Sequence, residues 1–197
     1  MKMTKIEKKF VNRKKHAQGN IRVLERIFTR INIDSIKNVL EIGCGVGHLA
    51  AYLNKNYEMN ITGTDLDEEQ IKLAKKFHDI SDTLSFYQAN ATHLPFEDEQ
   101  FDMVLSFKVL HHIPDWERAL NEINRVLKPN GIYIVNDLTG SSWLVAVLKL
   151  FMKKNRIFTT IQVADFLQNK KFKILYEEGP KGFIIKHFSM VFQKYSL

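Results

Sequence analysis

Short apolar runs alternate with amphipathic stretches along most of the chain. Val39, Leu40 and Ile42 form a run that stops at a loop with glycine at 43, 45 and 47. An apolar run of that length bounded by glycines predicts a buried strand, and His48 to Leu53 predicts the helix that follows it. The same alternation continues downstream, with a strand over 59–64 ending at Asp65, a helix over 68–77, and strands over 84–88 and 101–107. Apolar positions 116, 120, 123 and 127 predict a helix from Pro114-Asp115 to Leu127. A turn at Lys128-Pro129-Asn130-Gly131 and a strand over 132–135, ending in Asn136-Asp137, come next. A helix over 161–169, a strand over 172–177, a turn at residues 179–182 and a strand over 187–194 close the pattern. The last two strands are joined too briefly for a parallel crossover, which predicts a hairpin. Ahead of the first strand, apolar residues 21, 24, 27, 28 and 31 predict an amphipathic helix over 21–31, after a break at Gly19-Asn20. Strands alternating with helices place the chain in the α/β class, with a mostly parallel sheet.

The chain's 197 residues suit one domain with a single substantial core. Its one cysteine, Cys44, excludes an intrachain disulfide and points to a cytoplasmic protein; within the glycine loop it reads as a small space-filler. No 7–15-residue apolar stretch follows the basic start, so no secretory signal is expected, and no run is long enough for a transmembrane segment. The net charge of +7 is uneven. Residues 1–37 carry eleven Lys or Arg against Glu7, Glu25 and Asp34, which leaves the remainder near neutral. Such a basic arm suits RNA or an anionic membrane surface, or it serves as a solvated face. The expected organisation is therefore a basic arm and pocket-covering helix over 1–36, followed by a domain over 37–197.

The candidate chemistry sits at the glycine loop. A strand, a glycine turn and a helix N-terminus place backbone N–H groups beside a concave surface that no Cβ obstructs. Dinucleotide folds use G-x-G-x-x-G, but here the third glycine position of that spacing is His48, which argues against NAD or FAD. The spacing is instead G-x-G-x-G, preceded by Glu41, with Gly63-Thr64-Asp65 about 20 residues on. On these residues the sequence resembles the class I S-adenosylmethionine-dependent methyltransferases, whose first motif is E/D-x-G-x-G-x-G. Four further segments match in order: Asp65 with Leu66, Ala89 to Phe96, Phe101 to Ile113, and Ala119 to Gly131.

The resemblance implies a Rossmann-like, doubly wound seven-stranded sheet of order 3-2-1-4-5-7-6 with strand 7 antiparallel. It implies S-adenosyl-L-methionine as cofactor, bound by Glu41, Gly43, Gly45 and Gly47. Asp65 would then hold the ribose hydroxyls and Leu66 would flank the adenine, while Asp67 or a neighbour caps the next helix. Asn90 and Ala91 would read the adenine edge, although Ala89 and Asn90 stand where the family has glycine and aspartate. Ser106 and Phe107 would line the methionyl side. No metal is implied. His111, His112 and Asp137 are candidate bases, should the acceptor carry a proton, while histidines there also serve to fix the loop. The L-P-F and L-H-H segments resemble the small-molecule branch often called type 11, which implies a small acceptor, hydrophobic or anionic, methylated in line. An RNA methyltransferase using the basic arm is the alternative, as is a non-catalytic regulatory protein that binds the cofactor. The N-P-P-Y signature of amino-methylating nucleic-acid enzymes is absent. The apolar segment 143–152, inside an insert at 141–154, reads as a pocket wall or as an interfacial surface.

Overall fold

The computed structural model describes residues 14–140, 158–181 and 185–195. The expectations for residues 1–13, for the apolar segment 143–152 and for Gly182 lie outside the described residues. In chain order the elements are α1 (Lys14–Phe28), β1 (Asn38–Ile42), α2 (His48–Tyr57), β2 (Asn60–Asp65), α3 (Glu68–Phe77), β3 (Leu84–Gln88) and β4 (Phe101–Phe107). A 3₁₀ turn (Leu110–His112), α4 (Trp116–Val126), β5 (Leu127–Gly140), α5 (Thr160–Asn169), β6 (Phe172–Lys181) and β7 (Ile185–Lys194) complete it.

The seven strands form one sheet of order β3-β2-β1-β4-β5-β7-β6. The first five are parallel, and β7 runs antiparallel to both β5 and β6. Strand alternation explains why the sheet is covered on both faces. Val39, Met103, Leu105, Ile132 and Ile134 join one core with Leu24 and Ile27 of α1, Leu49 and Leu53 of α2, and Ile71 of α3. Their neighbours Leu40, Val104, Tyr133 and Val135 join the other, with Leu120 and Ile123 of α4 and Val163 and Leu167 of α5. A period of two along each strand thus sends successive side chains into opposite layers. The order reverses between β1 and β4, and ligands in open α/β sheets bind beyond the carboxyl ends of strands at such a switch point.

Three boundaries depart from expectation. The first helix begins by Lys14 and ends at Phe28, instead of spanning 21–31, and passes through Gly19-Asn20. A glycine costs a helix only about 1 kcal/mol, which burial of Leu24 and Ile27 offsets. The turn at Lys128–Gly131 is absorbed into β5 as a bulge: β4 pairs Phe101 with Leu127 and Met103 with Ile132, so four residues of β5 lie opposite one of β4. Asn130 takes the left-handed conformation there, with φ 62°. The hairpin strands β6 and β7 are longer than predicted, because register shifts at Ile174/Tyr176 and Glu178/Lys181 let pairing continue through Gly179, φ 101°.

Candidate active site

The glycine loop connects β1 to α2, and each of its glycines has a separate reason to be there. Gly43 (φ 70°) faces Val109, whose Cγ2 would lie 2.2 Å from an added Cβ. Gly47 (φ 78°) packs on Phe86, whose ring would lie 2.5 Å away. Gly45 (φ 54°) faces open space, with only Gln70 Oε1 at 3.9 Å. Gly43 and Gly47 therefore let the loop pack closely, while Gly45 leaves room beside a backbone that only glycine adopts freely. The loop is fixed from β2 as well. Asp65 Oδ2 accepts from the Gly45 N–H at 3.0 Å, and Oδ1 accepts from the Asp67 N–H at 2.9 Å. Asp67 in turn caps α3 by accepting from the Glu69 N–H at 3.1 Å, so the two acids divide the roles of loop holder and helix cap.

A cavity of about 420 Å³ opens where these elements meet. Glu41, Gly43, Gly45, Asp65 and Leu66 line it from the first two strands, and Asn90, Ala91 and Phe107 from the ends of β3 and β4. His111, His112 and Lys108 line it beyond β4, with Ala17 and Asn20 of α1 and Leu138 of β5. Three sequence candidates are not among the lining residues. Gly47 packs behind the loop. Ser106 is buried, its hydroxyl 2.7 Å from that of Tyr133. Asp137 is buried beneath His111.

Asp137 organises the far end of the cavity. Its Oδ2 accepts from the Val109 and Leu110 N–H groups at 3.1 and 2.7 Å, and its Oδ1 from the Leu138 N–H at 2.6 Å. Oδ1 is also hydrogen-bonded to His111 Nδ1. Asp137 acts as acceptor throughout, so Nδ1 is the donor and Nε2 is left as the ring's proton-accepting atom. The His112 ring stacks at a tilt on that of His111, with centroids 4.0 Å apart.

At the other end Glu41 is buried, and among the described residues its Oε2 has no hydrogen-bond partner. Burial pushes its carboxyl up to about 8; the Ala50 N–H partly opposes this and the nearby Asp65 charge adds to it. Asn20 Oδ1 is likewise buried without a partner. Asn90 differs from expectation in its hydrogen bonding. Its Oδ1 accepts from the Thr92 N–H and hydroxyl at 3.1 and 3.0 Å, which leaves the amide N–H groups as its available edge. The E-x-x-R pair of α4 secures the segment that carries Asn90. Glu122 accepts from the Leu94 N–H at 2.7 Å, and Arg125 donates to the Leu94 and Phe96 carbonyls at 3.0 and 2.7 Å.

Asn20, which in the sequence reads as part of a helix break, and Lys108 are not among the sequence candidates. The signal for Lys108 was present, as the one cation inside the apolar run from Phe101 to Leu110.

This sheet order, with a glycine loop after β1, an acid at the end of β2 and a histidine-bearing loop after β4, defines a Rossmann-like methyltransferase domain. Residues 40–135 match the family described as a methyltransferase domain, which supports a class I S-adenosylmethionine-dependent methyltransferase of the type 11 branch. It is 37% identical over 130 residues to the phthiotriol/phenolphthiotriol dimycocerosates methyltransferase of Mycobacterium tuberculosis, covering 66% of this chain and 47% of that one. It is 39% identical over 102 residues to the fatty-acid O-methyltransferase of Mycolicibacterium smegmatis, covering 51% and 37%. The chain thus spans about half the length, or less, of these relatives. The PH0226 protein from Pyrococcus horikoshii shares its fold, with a TM-score of 0.72 at 22% identity over 93% of each chain. Among the described residues no helix is long and apolar enough to cross a membrane, and no group of acids, histidines and cysteine is arranged to hold a metal.

Proposed function

We propose that this chain binds S-adenosyl-L-methionine in the cavity and transfers its methyl group to a small apolar acceptor. The observation that carries the reading is the pair of buried oxygens, Glu41 Oε2 and Asn20 Oδ1, that find no partner among the described residues, in a cavity lined by the family's motif residues. A buried acceptor without a donor is costly, and the cofactor's α-ammonium group offers N–H donors and a positive charge that suit both. Asp65, at the carboxyl end of β2 beside the glycine loop, accepts from the ribose hydroxyls. Gly45 leaves the backbone open to the methionyl part, with Gly43 beside it in the cavity wall, Leu66 flanks the adenine, and Asn90 and Ala91 face its polar edge. Phe107 borders the methionyl side.

When bound, the cofactor supplies a methyl group already activated on a sulfonium. What remains for the protein is to align an acceptor, exclude water and manage a proton; alignment alone can supply roughly 7–11 kcal/mol of a barrier. His111, held by Asp137, takes the proton where the acceptor carries one. Two features support an apolar acceptor. Val109, Ile113, Pro114 and Leu138 line the cavity around the histidines, and two relatives are named for a dimycocerosate and a fatty acid.

Two measurements test the reading. S-adenosylmethionine and its demethylated product should each raise the melting temperature, because a ligand at 100 times its dissociation constant adds about 2.7 kcal/mol. Labelled methyl should then appear in the lipid or metabolite fraction of a cell extract. No melting shift with either ligand rejects the cofactor, and label confined to the RNA fraction rejects the acceptor class.

A further inference from the structure

Lys108 follows β4 directly and takes the left-handed conformation, φ 59°, which side-chain-bearing residues rarely adopt. The geometry is imposed from β5. The Lys108 N–H donates to the Asn136 carbonyl at 2.7 Å, and the next two N–H groups are taken by Asp137. A backbone held in this way by two neighbours on another strand keeps Lys108 in the wall of the cavity, three residues before His111. Among the described residues, no acid forms an ion pair with its ammonium. Asp137 is engaged by three backbone N–H groups and His111, and Asp115 lines the same cavity without reaching Lys108. The Lys108 side chain is partly withdrawn from water, which pushes its pKa down, while the Asp137 charge acts the other way.

A partly desolvated cation with no partner suits an anion that arrives with the ligand. His111, a histidine fitted to accept a proton, lines the same cavity. A base and a cation lining one cavity fit a hydroxyl that loses its proton as it reacts, because the cation stabilises the negative charge left on oxygen. They do not fit an amine, where methylation develops positive charge on nitrogen next to an ammonium.

Resting on the methyl-transfer reading above, we infer that Lys108 selects the acceptor and that the acceptor is an apolar molecule with an acidic hydroxyl, a phenol or enol. The balance is complete without a further reactant. His111 Nε2 takes the hydroxyl proton and the oxygen lone pair forms the new O–C bond. The C–S bond breaks with its electrons going to sulfur, giving a methyl ether and a neutral thioether.

The test uses the full chain saturated with S-adenosylhomocysteine and 4-nitrophenol as probe, whose ionised form absorbs in the visible. In the wild-type protein the bound probe should be about tenfold more ionised at a given pH than the free probe. Lys108→Met should abolish the difference, and Lys108→Arg should retain it. Nitrobenzene, which lacks the oxygen, should bind more weakly than nitrophenol to the wild type and to Lys108→Arg, and as strongly as nitrophenol to Lys108→Met. The inference is overturned if Lys108→Met leaves the ionisation unchanged, if nitrobenzene competes equally in the wild type, or if the probe does not bind. Melting shifts with S-adenosylhomocysteine on the same samples confirm folding and separate the two readings. If the wild type shows no such shift, the cofactor assignment fails. A shift in every protein without a change in probe ionisation removes only the role of Lys108.

Discussion

Asp137 and His111 form a pair in which the buried acid also fixes the loop that presents the histidine, through the Val109 and Leu110 N–H groups at 3.1 and 2.7 Å. Orientation and tautomer of the imidazole therefore depend on one side chain. Asp137→Asn is expected to lower methyl transfer by about 10²-fold, the scale of a general base. His111→Gln should cost a similar factor, and the double variant little more, because the two act as one unit. Rate measurements across the cycle check this; fully additive losses would show that the residues act separately. Asp137→Ala should also destabilise the fold by about 1–3 kcal/mol, as buried backbone donors lose their acceptor.

Gly43→Ala joins two separate costs. The residue has φ 70°, and its Cβ would lie 2.2 Å from Val109 Cγ2. The backbone cost alone is about 1–2 kcal/mol, and the overlap adds to it. Val109→Ala in the same protein should relieve the overlap and leave the backbone cost. Denaturant unfolding of the two single variants and the double should show positive coupling between the sites. A double variant as unstable as the sum of the singles would contradict this packing.

The central part of the fold was legible because strand periodicity and glycine spacing are local. β3, α3 and β4 coincide with the predicted 84–88, 68–77 and 101–107. What the sequence obscured depends on distant partners. Gly19-Asn20 looks like a break until Leu24 and Ile27 are seen buried, and Lys128–Gly131 looks like a turn until β4 pairs on both sides of it. Within the site, a motif position names a residue without saying what its atoms already hold. Asn90 stands where the motif has aspartate, and its carbonyl oxygen is occupied by Thr92. Ser106 lies within a matching segment, yet its hydroxyl is turned to Tyr133. Asp137 reads as a candidate base, whereas its bonding to His111 suits it to orient that residue.

Arg125 makes a separate prediction about stability. It donates to two carbonyls of the segment after β3 and to Glu122, which itself accepts from the Leu94 N–H. Arg125→Ala takes the donor from the Leu94 and Phe96 carbonyls and should cost roughly 2 kcal/mol, lowering the melting temperature by about 4–8 °C for a chain of this size. The exposed Asp98 also pairs with Arg125, but Asp98→Ala should change stability by less than about 1 kcal/mol. Equal effects of the two variants would mean that the surface ion pair, and not the carbonyl anchoring, holds the segment.

Glu41 links cofactor binding to pH. Its carboxyl, held up to about 8 by burial, is mostly protonated at neutral pH in the free protein. A cationic group bound beside it favours the ionised form, so binding should release a proton. Affinity for S-adenosylhomocysteine, which carries the same α-ammonium, should therefore rise with pH and level off above about 8. Calorimetry in buffers of different ionisation enthalpy should detect the proton released at pH 7. The sign for folding is opposite. In the unfolded chain Glu41 titrates at its ordinary 4.5, so between 4.5 and 8 the folded state binds more protons and stability of the free protein declines as pH rises. Glu41→Gln should remove both effects, giving flatter stability across that window and weaker, pH-independent cofactor binding. A variant that still binds more tightly as pH rises would assign the titration to another group.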